Sequence, residues 1–471
     1  MTDDDIAYLS ARDAVAAFTA RRLSPVDVLK AQIARAERIN PKTIAFGDCY
    51  FDEALDAARA AEARYMKSDG RLRSLEGVTC AMKDEFQMKG KRATQGSLTL
   101  VDNVAREDDV AVERLQEAGC IIHARTTTPE FCLVGVTHSK LWGVSRNPHN
   151  LECNPGGSSG GSASALASGL TTLATGTDIG GSIRIPASAC GIYGYMPPHG
   201  RVPDAPPYNL DWNSRTGPMA RSVDDCAVML NVLNGVSPRD LVSLRERIVI
   251  PRDAGDIKGW KIAFSLDFGY KRLHPDVRAN TLNAIAVLRS LGAECTEVQV
   301  PWDKSLEAIR RDYLYVLWGK RMWPMLARHR DKMCGYTVRY AEAAFGTPIE
   351  ALHKGIDTIT SMYAGFGPMM ERYNLFLCPT LAVPAVQAEH DALDTNFTID
   401  GEPADPRSGW IMTYPFNMLG RVPVMSVPTG KARNGVPTGM QLVGRTYDDA
   451  SVFRAAAVFE QVIGFQKPGE I

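Results

Sequence analysis

The sequence lacks the features that would indicate a membrane span, a metal site or a nucleic-acid partner. No window approaches twenty consecutive apolar residues, so we predict no membrane-spanning helix. The ten cysteines include no C-x-x-C pair, so neither a zinc site nor a disulfide framework is indicated, and thiols of this kind favour a reducing compartment. The net charge is only −1, so no basic field is available for nucleic acid or for an anionic membrane surface.

Several catalytic motifs are missing as well. The chain has no H-E-x-x-H, no Ser-x-x-Lys and no G-x-x-x-x-G-K, which excludes zincin, penicillin-binding and P-loop chemistry. None of the eight histidines falls at a spacing that catalysis would require, and we interpret His123, in an apolar strand, as a core residue. The first residues, Met-Thr-Asp-Asp-Asp-Ile, have neither the cationic nor the apolar region of a signal peptide, so a cytoplasmic location is expected.

The rest of the composition is that of an ordinary globular protein, with 45% hydrophobic and 23% charged residues among 471. That length allows one large domain or two to three smaller ones. Apolar strands alternate with amphipathic helices, which predicts an α/β fold whose central mixed β-sheet is covered by helices on both faces. We predict helices at 24–39, 51–66, 109–118, 162–169, 222–233, 275–291 and 448–462, helix-rich sequence at 304–373, a connection at 236–258, and strands at 77–82, 120–124, 261–264, 295–300, 375–378, 422–427 and 439–443.

The most distinctive part of the sequence is a segment rich in glycine and serine between Gly156 and Pro186. It reads Gly-Gly-Ser-Ser-Gly-Gly-Ser at its start and Asp-Ile-Gly-Gly-Ser-Ile-Arg-Ile-Pro at its end. Glycine lets a backbone come very close to a ligand. Ser182 follows two glycines and lies at the rim of a possible run of exposed N–H groups, which a developing oxyanion needs. For either half alone, an ordinary glycine-rich loop is an equal alternative.

Ser158 and Ser159 have two further interpretations. They fit a turn that caps the following helix, with a hydroxyl as the cap. They also satisfy the G-x-S-x-G elbow twice, but that motif needs a strand directly before the serine. Residues 146–155 contain two prolines and three asparagines, so we reject the elbow.

Lys83 ends an apolar strand, and taken alone it fits a surface lysine at a strand end. Its expected role is different if the fold places it beside Ser158. Burial among small residues would lower the pKa of the lysine, and a neutral amine can accept a proton from a serine.

Together, Lys83 and the strings that begin at Gly156 and Gly176 resemble the amidase signature family of serine hydrolases. The spacings agree, with 75 residues from Lys83 to Ser158 and 24 from Ser158 to Ser182. The resemblance covers nearly the whole chain. It implies one amidase domain over 1–471, with a catalytic core at about 75–235 and a more variable, substrate-shaping region at about 300–420. It also implies a stand-alone amidase of bacterial type.

The resemblance implies a role for each of three side chains. Ser182 is the nucleophile, Ser158 is the bridging serine that follows a cis peptide bond, and Lys83 is the general base, neutral at rest. Protons then pass from Ser182 through Ser158 to Lys83, and Ser158 protonates the departing amine.

The resemblance also assigns the residues around this triad. The backbone N–H groups of Ile179, Gly180, Gly181 and Ser182 match the family's oxyanion hole. Ser159 is expected to hydrogen-bond Lys83. Asp178 and Arg184 are expected to form an internal salt bridge that supports the loop.

The implied reaction is hydrolysis of a carboxamide, with an ester or carbamate as a further option, which gives a carboxylic acid plus ammonia or an amine. The implied enzyme needs no cofactor or metal and acts on a small-molecule amide, without a nucleic-acid or membrane partner. Many members of the family are dimers, so a homodimer is one option.

Substrate choice would depend on segments outside the motifs. Four aromatic-rich ranges, 131–142, 208–212, 313–323 and 410–416, are candidate pocket walls, although aromatics at helical spacing are more often core. If they line the cavity, a bulky or aryl acyl group fits better than a small polar one.

Two other functions stay open. The first is that of a chain like the glutamyl-tRNA amidotransferase A subunit, which delivers ammonia to a partner. Residues 311–323 do not match the Tyr- and Asn-containing segment of that family member, which favours a stand-alone hydrolase. The second is a non-catalytic protein that kept the fold, and the intact Lys83, Ser158 and Ser182 argue against it.

Overall fold

A computed structural model of the chain describes residues 1–67, 71–204, 206, 208–252 and 255–471. Within these residues one central sheet contains eleven strands. In chain order they are β1 (Phe46–Cys49), β2 (Thr79–Lys83), β3 (Ile121–Thr126), β4 (Leu173–Thr177), β5 (Tyr193–Met196), β6 (Thr216–Ala220), β7 (Lys261–Phe264), β8 (Glu294–Glu297), β9 (Leu375–Pro379), β10 (Val424–Lys431) and β11 (Pro437–Val443).

The sheet is mixed, and its spatial order is β1-β3-β2-β4-β6-β5-β10-β11-β9-β7-β8. Parallel pairs join β3, β2 and β4 on one side and β9, β7 and β8 on the other. The other neighbours, including β1 with β3 and all the central pairs, are antiparallel. Two short hairpins lie outside this sheet, His138–Ser139 with Gly143–Val144 and Thr398–Ile399 with Glu402–Pro403.

Helices flank the sheet. Those in the described residues are α1 (Asp3–Ala7), α2 (Ala11–Thr19), α3 (Pro25–Thr43), α4 (Phe51–Met66), α5 (Val110–Glu117), α6 (Gly160–Ala167), α7 (Arg184–Cys190), α8 (Val223–Leu233), α9 (Pro275–Ser290), α10 (Ser305–Leu317), α11 (Trp323–His329), α12 (Gly335–Gly346), α13 (Glu350–Met370), α14 (Tyr414–Leu419) and α15 (Asp449–Glu460). In the described part of the chain, no helix is long and apolar enough to cross a bilayer.

Both faces of the sheet are buried, as the alternation along β9 illustrates. Leu375 and Leu377 belong to one large apolar cluster, whereas Phe376 and Cys378 belong to another. Because successive side chains of a strand point to opposite faces, the two clusters lie on opposite sides of the sheet. This confirms the predicted single α/β domain with a buried mixed sheet between helical layers.

Most predicted elements are found within a few residues of their expected ends. Helix α4 and strand β7 have the predicted bounds. The N-terminus of α3 follows the local sequence, because the Ser24 side chain accepts hydrogen bonds from the backbone of the first turn and Pro25 occupies the first helical position. The predicted connection 236–258 contains no helix or strand in its described part, and residues 253 and 254 lie outside the described residues.

Strand β1 and helices α1, α2 and α14 were not predicted, and neither were the four elements around the candidate site, strands β4, β5 and β6 and helix α7. Their sequences, Leu-Ala-Thr-Gly-Thr, Tyr-Gly-Tyr-Met and Thr-Gly-Pro-Met-Ala for the strands, contain glycine and proline, which are typical of loops. All four are fully buried, and they carry the loop that holds Ser182.

Candidate active site

The topology brings the predicted lysine and the glycine–serine segment together. Strands β2 and β4 are parallel neighbours, so their carboxyl ends meet at the same edge of the sheet. Strand β2 ends at Lys83, and β4 ends at Thr177, directly before the loop that carries Ser182. Helix α6 begins just after Ser158 and Ser159. A cavity of about 350 Å³ opens at this edge, and Ser158, Thr177 and Ser182 line it.

The Lys83 side chain is fully buried, and its amine lies close to three side-chain oxygens. Its Nζ atom lies 2.8 Å from Ser158 Oγ, 2.5 Å from Thr177 Oγ1 and 3.2 Å from a carboxylate oxygen of Glu85. The peptide bond between Gly157 and Ser158 is cis, as the resemblance implies. The lysine is therefore an internal group in contact with a serine, and the alternative of a surface lysine is wrong.

The charged and polar surroundings of Lys83 differ from those on which its expected charge state rests. Burial alone would lower its pKa, but the Cys132 thiol and the Glu85 carboxylate beside it both favour the charged ammonium, and the net effect raises the pKa of Lys83 above its usual value. Glu85, two residues along the chain, adds a carboxylate to the small neighbours expected around Lys83. These neighbours therefore oppose the neutral amine that the resemblance implies for the resting enzyme.

Ser182 lies at the floor of the cavity with 7% of its surface exposed. Its carbonyl oxygen accepts a hydrogen bond from the Ser159 N–H at 3.1 Å, which ties the loop to the start of α6. Its Oγ atom has no hydrogen-bond partner among the described residues, so the contact between Ser182 and Ser158 that a proton relay needs is not formed in this structure.

The N–H groups beside Ser182 differ in their availability. The Gly181 N–H donates to Asp178 Oδ1 at 2.6 Å. The N–H groups of Ile179, Gly180 and Ser182 have no acceptor in the described part of the chain. These three are the donors free to bind an oxyanion, whereas the Gly181 N–H is already occupied.

The predicted salt bridge between Asp178 and Arg184 is present and fully buried. Two nitrogens of the guanidinium lie 3.0 Å from the two carboxylate oxygens. Asn417 also donates to Asp178 Oδ1, at 2.8 Å. Burial alone would raise the pKa of Asp178, but Arg184 and these hydrogen bonds lower it to about 2. The pair fixes the turn between β4 and α7.

The predicted role of Ser159 is wrong in detail. Its Oγ donates to the carbonyl oxygen of Thr177 at 3.4 Å and makes no hydrogen bond to Lys83. The contact expected of Ser159 is made by Thr177, whose Oγ1 also donates to Glu85 at 2.5 Å. This follows from the geometry of the sheet, because Thr177 ends the strand next to the one that ends at Lys83.

The four aromatic-rich ranges each contribute to the cavity wall, although most of their aromatic rings lie elsewhere. The lining aromatics from these ranges are Phe131, Tyr208, Trp318 and Tyr414. Of the others in these ranges, Tyr313, Tyr315 and Trp410 are buried in the packed interior and Trp323 stacks on Phe345 at the surface. His123 is also a core residue, and burial lowers its pKa to about 3.

Comparisons with known proteins agree with the fold. The sequence profile of the Amidase family matches residues 27–453. The fold and this match show that the chain belongs to the amidase signature family, a class of amide-hydrolysing enzymes.

Two curated relatives of different function are about equally similar to this chain. The glutamyl-tRNA(Gln) amidotransferase A subunit of Geobacter metallireducens is 34% identical over 95% of this chain and 96% of its own. An acylamidase of Rhodococcus erythropolis is 32% identical over 98% of this chain and 97% of its own. Among solved structures, a bacterial aryl acylamidase of the same family superposes with a TM-score of 0.90 at 29% identity, over 96% of both chains.

Proposed function

We propose that this protein hydrolyses a linear carboxamide, with esters and carbamates as further substrates, through an acyl-enzyme on Ser182. One observation carries the proposal, namely the 2.8 Å contact between Lys83 Nζ and Ser158 Oγ in a cavity that Ser182 also lines. A buried base hydrogen-bonded to one serine, with a second, unbonded serine hydroxyl in the same cavity, supplies the groups that activate a serine nucleophile once the two hydroxyls come into contact. The similarity to an acylamidase and an aryl acylamidase supports the same chemistry.

Acylation begins with Lys83 in its neutral form. Ser182 Oγ attacks the carbonyl carbon and passes its proton to Ser158, while Ser158 passes its own to Lys83 Nζ. The carbonyl oxygen becomes negative and accepts hydrogen bonds from the free N–H groups of Ile179, Gly180 and Ser182. Removing one such donor typically costs on the order of 10²–10³ in rate.

The second half of the reaction reverses these transfers. The C–N bond breaks as Ser158 donates a proton to the leaving nitrogen and regains one from Lys83. Ammonia or amine leaves, and the acyl group stays on Ser182. Water then attacks the ester by the same relay, the acid is released, and Ser182 Oγ recovers its proton.

The pairing of Lys83 with Glu85 determines the pH range in which the proton relay operates. Only the neutral amine accepts a proton, and the carboxylate favours the ammonium. Activity should therefore increase with pH until Lys83 is largely deprotonated. Substrate binding that displaces or covers Glu85 would favour the neutral form at lower pH.

The remaining expectations about organisation belong to the same proposal. We propose that residues 75–235 carry the chemistry and that 300–420 shape the substrate. The cavity lining supports this division, since it takes Ser158 and Ser182 from the first range and residues such as Trp318 and Tyr340 from the second. The ten cysteines, all without a disulfide, support a reducing cytoplasmic location.

The alternative is an amidotransferase component that delivers ammonia to a partner. The 34% identity to a glutamyl-tRNA(Gln) amidotransferase A subunit favours it as a second candidate. It predicts weak hydrolysis by the isolated chain and co-purification with other proteins. Expression in the native host with a terminal tag and mass spectrometry of the purified sample separates the two.

The main test is release of amine or ammonia from aliphatic amides, anilides, carbamates and esters, by the wild type and Ser182→Ala. Ser188→Ala is a matched control, because Ser188 lies in the following helix and its buried hydroxyl has no partner in the described structure. We expect turnover by the wild type and the control and none by Ser182→Ala. Undiminished turnover by Ser182→Ala would refute the proposal.

A further inference from the structure

Two arginines line the cavity without a role in the proposed chemistry. Arg310 lies on α10, and Arg407 lies in the segment before α14. In the described part of the chain neither forms a salt bridge, although neighbouring residues such as Arg311 do. Cations left unpaired inside a cavity are costly unless something else compensates them.

Arg310 uses little of its hydrogen-bonding capacity. A guanidinium carries five N–H donors. Nη2 donates to the Ile179 carbonyl oxygen at 3.3 Å, and the buried Nε has no partner among the described residues. The guanidinium carbon lies 5.6 Å from the centre of the Tyr414 ring. Burial and the nearby charge of Arg407 lower the pKa of Arg310 to about 10, so it is still charged at neutral pH.

Arg407 is held in a similar way. Its Nη2 donates to the Leu133 carbonyl oxygen at 3.1 Å, and its guanidinium lies over the Tyr340 ring, 4.8 Å from the centre. Arg310 and Arg407 therefore repel each other across the cavity, and each is held by a backbone carbonyl and an aromatic ring. An anion bound near both would relieve the repulsion.

The carboxylates of the cavity are already engaged with other groups. Glu85 contacts Lys83, and Glu307 forms an ion pair with Lys271. Asp405 accepts hydrogen bonds from the backbone N–H groups of Arg407 and Ser408 and from the Ser408 hydroxyl. No carboxylate of the described cavity wall thus neutralises the side chains of the two arginines.

The position of Arg310 limits where such an anion would bind. A Cβ atom added at Gly180 would lie 1.9 Å from Arg310 Nη2, so the guanidinium covers this glycine. Gly180 is two residues from Ser182, and two peptide units span at most about 7.6 Å between Cα atoms. A group bound by Arg310 therefore lies within a few bonds of a carbonyl attacked by Ser182.

We propose that Arg310 and Arg407 form a subsite for a carboxylate on the acyl part of the substrate. The preferred substrates are then amides of short dicarboxylic acids, and this inference rests on the amide hydrolysis proposed above. The planar guanidinium matches a carboxylate with two parallel hydrogen bonds, which an ammonium cannot do. The aromatic wall with Phe131 and Trp318 is left to hold the amine part.

A matched pair of anilides tests the subsite. Succinanilate carries a carboxylate where 4-methyl-N-phenylpentanamide carries an isopropyl group of similar shape, and both release aniline. For the wild type we expect kcat/KM to be about tenfold or more higher for succinanilate. Equal values, or a preference for the neutral anilide, would overturn the subsite while leaving the amide hydrolysis intact.

Variants assign the preference to Arg310. Arg310→Met also removes the hydrogen bond to Ile179, so turnover of both anilides should fall. The quantity compared is therefore the ratio of kcat/KM for succinanilate to kcat/KM for 4-methyl-N-phenylpentanamide. The ratio should fall about tenfold in Arg310→Met and recover in part in Arg310→Lys. Arg328→Met, at an exposed arginine of α11 outside the cavity, should keep the wild-type ratio. An unchanged ratio in Arg310→Met contradicts the proposal.

Binding to the inactive protein separates this inference from the proposed function. Succinate is titrated calorimetrically into Ser182→Ala and into the double variant Ser182→Ala with Arg310→Met. The subsite predicts binding that weakens about tenfold or more in the double variant. If the wild type hydrolyses no amide but this dependence is found, the proposed function fails and the anion subsite stands. No dependence on Arg310 overturns the subsite.

Discussion

Glu85 holds a carboxylate oxygen 3.2 Å from the Nζ atom of Lys83, inside the cavity that Ser182 lines. Thr177 bridges the two, because its hydroxyl contacts both. Lys83, the proposed general base, is thus paired with a carboxylate that follows it at the end of the same strand. In the proposed mechanism, this pairing moves the ascending limb of activity to higher pH than a lone buried lysine would give.

Glu85→Gln should make the enzyme active at lower pH. The substitution keeps the shape of the side chain and removes its charge, so the ammonium form of Lys83 loses its partner and the pKa of Lys83 falls. Because the base must be neutral, the ascending limb of kcat/KM against pH should move to lower pH. Glu307→Gln removes a carboxylate that is paired with Lys271 and should leave that limb where it is. An ascending limb of kcat/KM that stays at the same pH in Glu85→Gln would contradict the role proposed for Lys83 and Glu85.

Ser158→Ala should affect amides more than activated esters. An amine leaves only when its nitrogen is protonated, and Ser158 is the proposed donor, whereas a nitrophenolate leaves without a proton. We expect kcat for an anilide to fall about 10²–10⁴-fold and kcat for a p-nitrophenyl ester to fall clearly less. The measurement is the ratio of the two rates in wild type and variant. An equal loss for both substrates would assign Ser158 to the attack step alone.

Gly181→Ala should abolish turnover. Gly181 has a φ of 125°, a region that favours glycine, and an added Cβ would lie 1.9 Å from Thr413 Oγ1. The loop would have to move, and the N–H groups beside it would lose their alignment. Gly259→Ala is the matched control, since Gly259 also has a positive φ but open space around it. Activity and circular dichroism of both variants check the prediction, and near-normal turnover by Gly181→Ala would contradict it.

Asp178→Asn should destabilise the fold in a pH-dependent way. Breaking a buried ion pair costs about 3–5 kcal/mol, because Arg184 is left without its partner. The pKa of Asp178 is lowered from 3.8 to about 2 in the folded protein, so the carboxylate stabilises the fold above pH 4. That contribution, about 2 kcal/mol, is lost as the pH falls through 2.

Urea unfolding at several pH values measures this effect. The difference in unfolding free energy between wild type and Asp178→Asn should be largest near neutral pH and shrink below pH 4. Asp102→Asn, at an exposed turn position, serves as the control. A difference that stays constant from pH 7 to pH 2.5 would show that the carboxylate charge is not what stabilises the loop.

The sequence was sufficient to predict the main layers of the fold and the three central side chains. Periodic helices such as α4 and compact apolar strands such as β7 follow from local pattern. Ser158 and Ser182 stood out because they lie in dense motifs whose residue types have few other uses, whereas Lys83 received its predicted role only through the resemblance. The contact between Lys83 and Ser158 needed the resemblance, since the two lie 75 residues apart.

The strands that were missed each contain a glycine required by close packing. A Cβ at Gly176 in β4 would approach Ser159 Oγ to 3.0 Å, and one at Gly194 in β5 would lie 2.7 Å from Ala187. In β6, a Cβ at Gly217 would lie 2.2 Å from the Tyr195 carbonyl oxygen. Such glycines lower strand propensity locally while the tertiary structure requires them. The sequences of these strands therefore resemble those of loops, although the strands surround the candidate site.

The parts of the site that were missed have two different causes. Lys83 and Glu85 are two residues apart at a strand end, where alternate side chains point to the same side, so their pairing had a local signal. Arg310 and Asn417 contact the loop around Asp178 and Gly180 from more than 125 residues away, and no periodicity reports such contacts. Their identification required the tertiary structure.

Covalent trapping identifies the residue that carries the acyl group, which we propose is Ser182. The protein is quenched in acid during turnover of a p-nitrophenyl ester, and intact mass and peptide mapping locate the adduct. The account predicts one acyl group on the peptide that contains Ser182, and none in Ser182→Ala. An acyl group on any other residue, or the same adduct in Ser182→Ala, would contradict it.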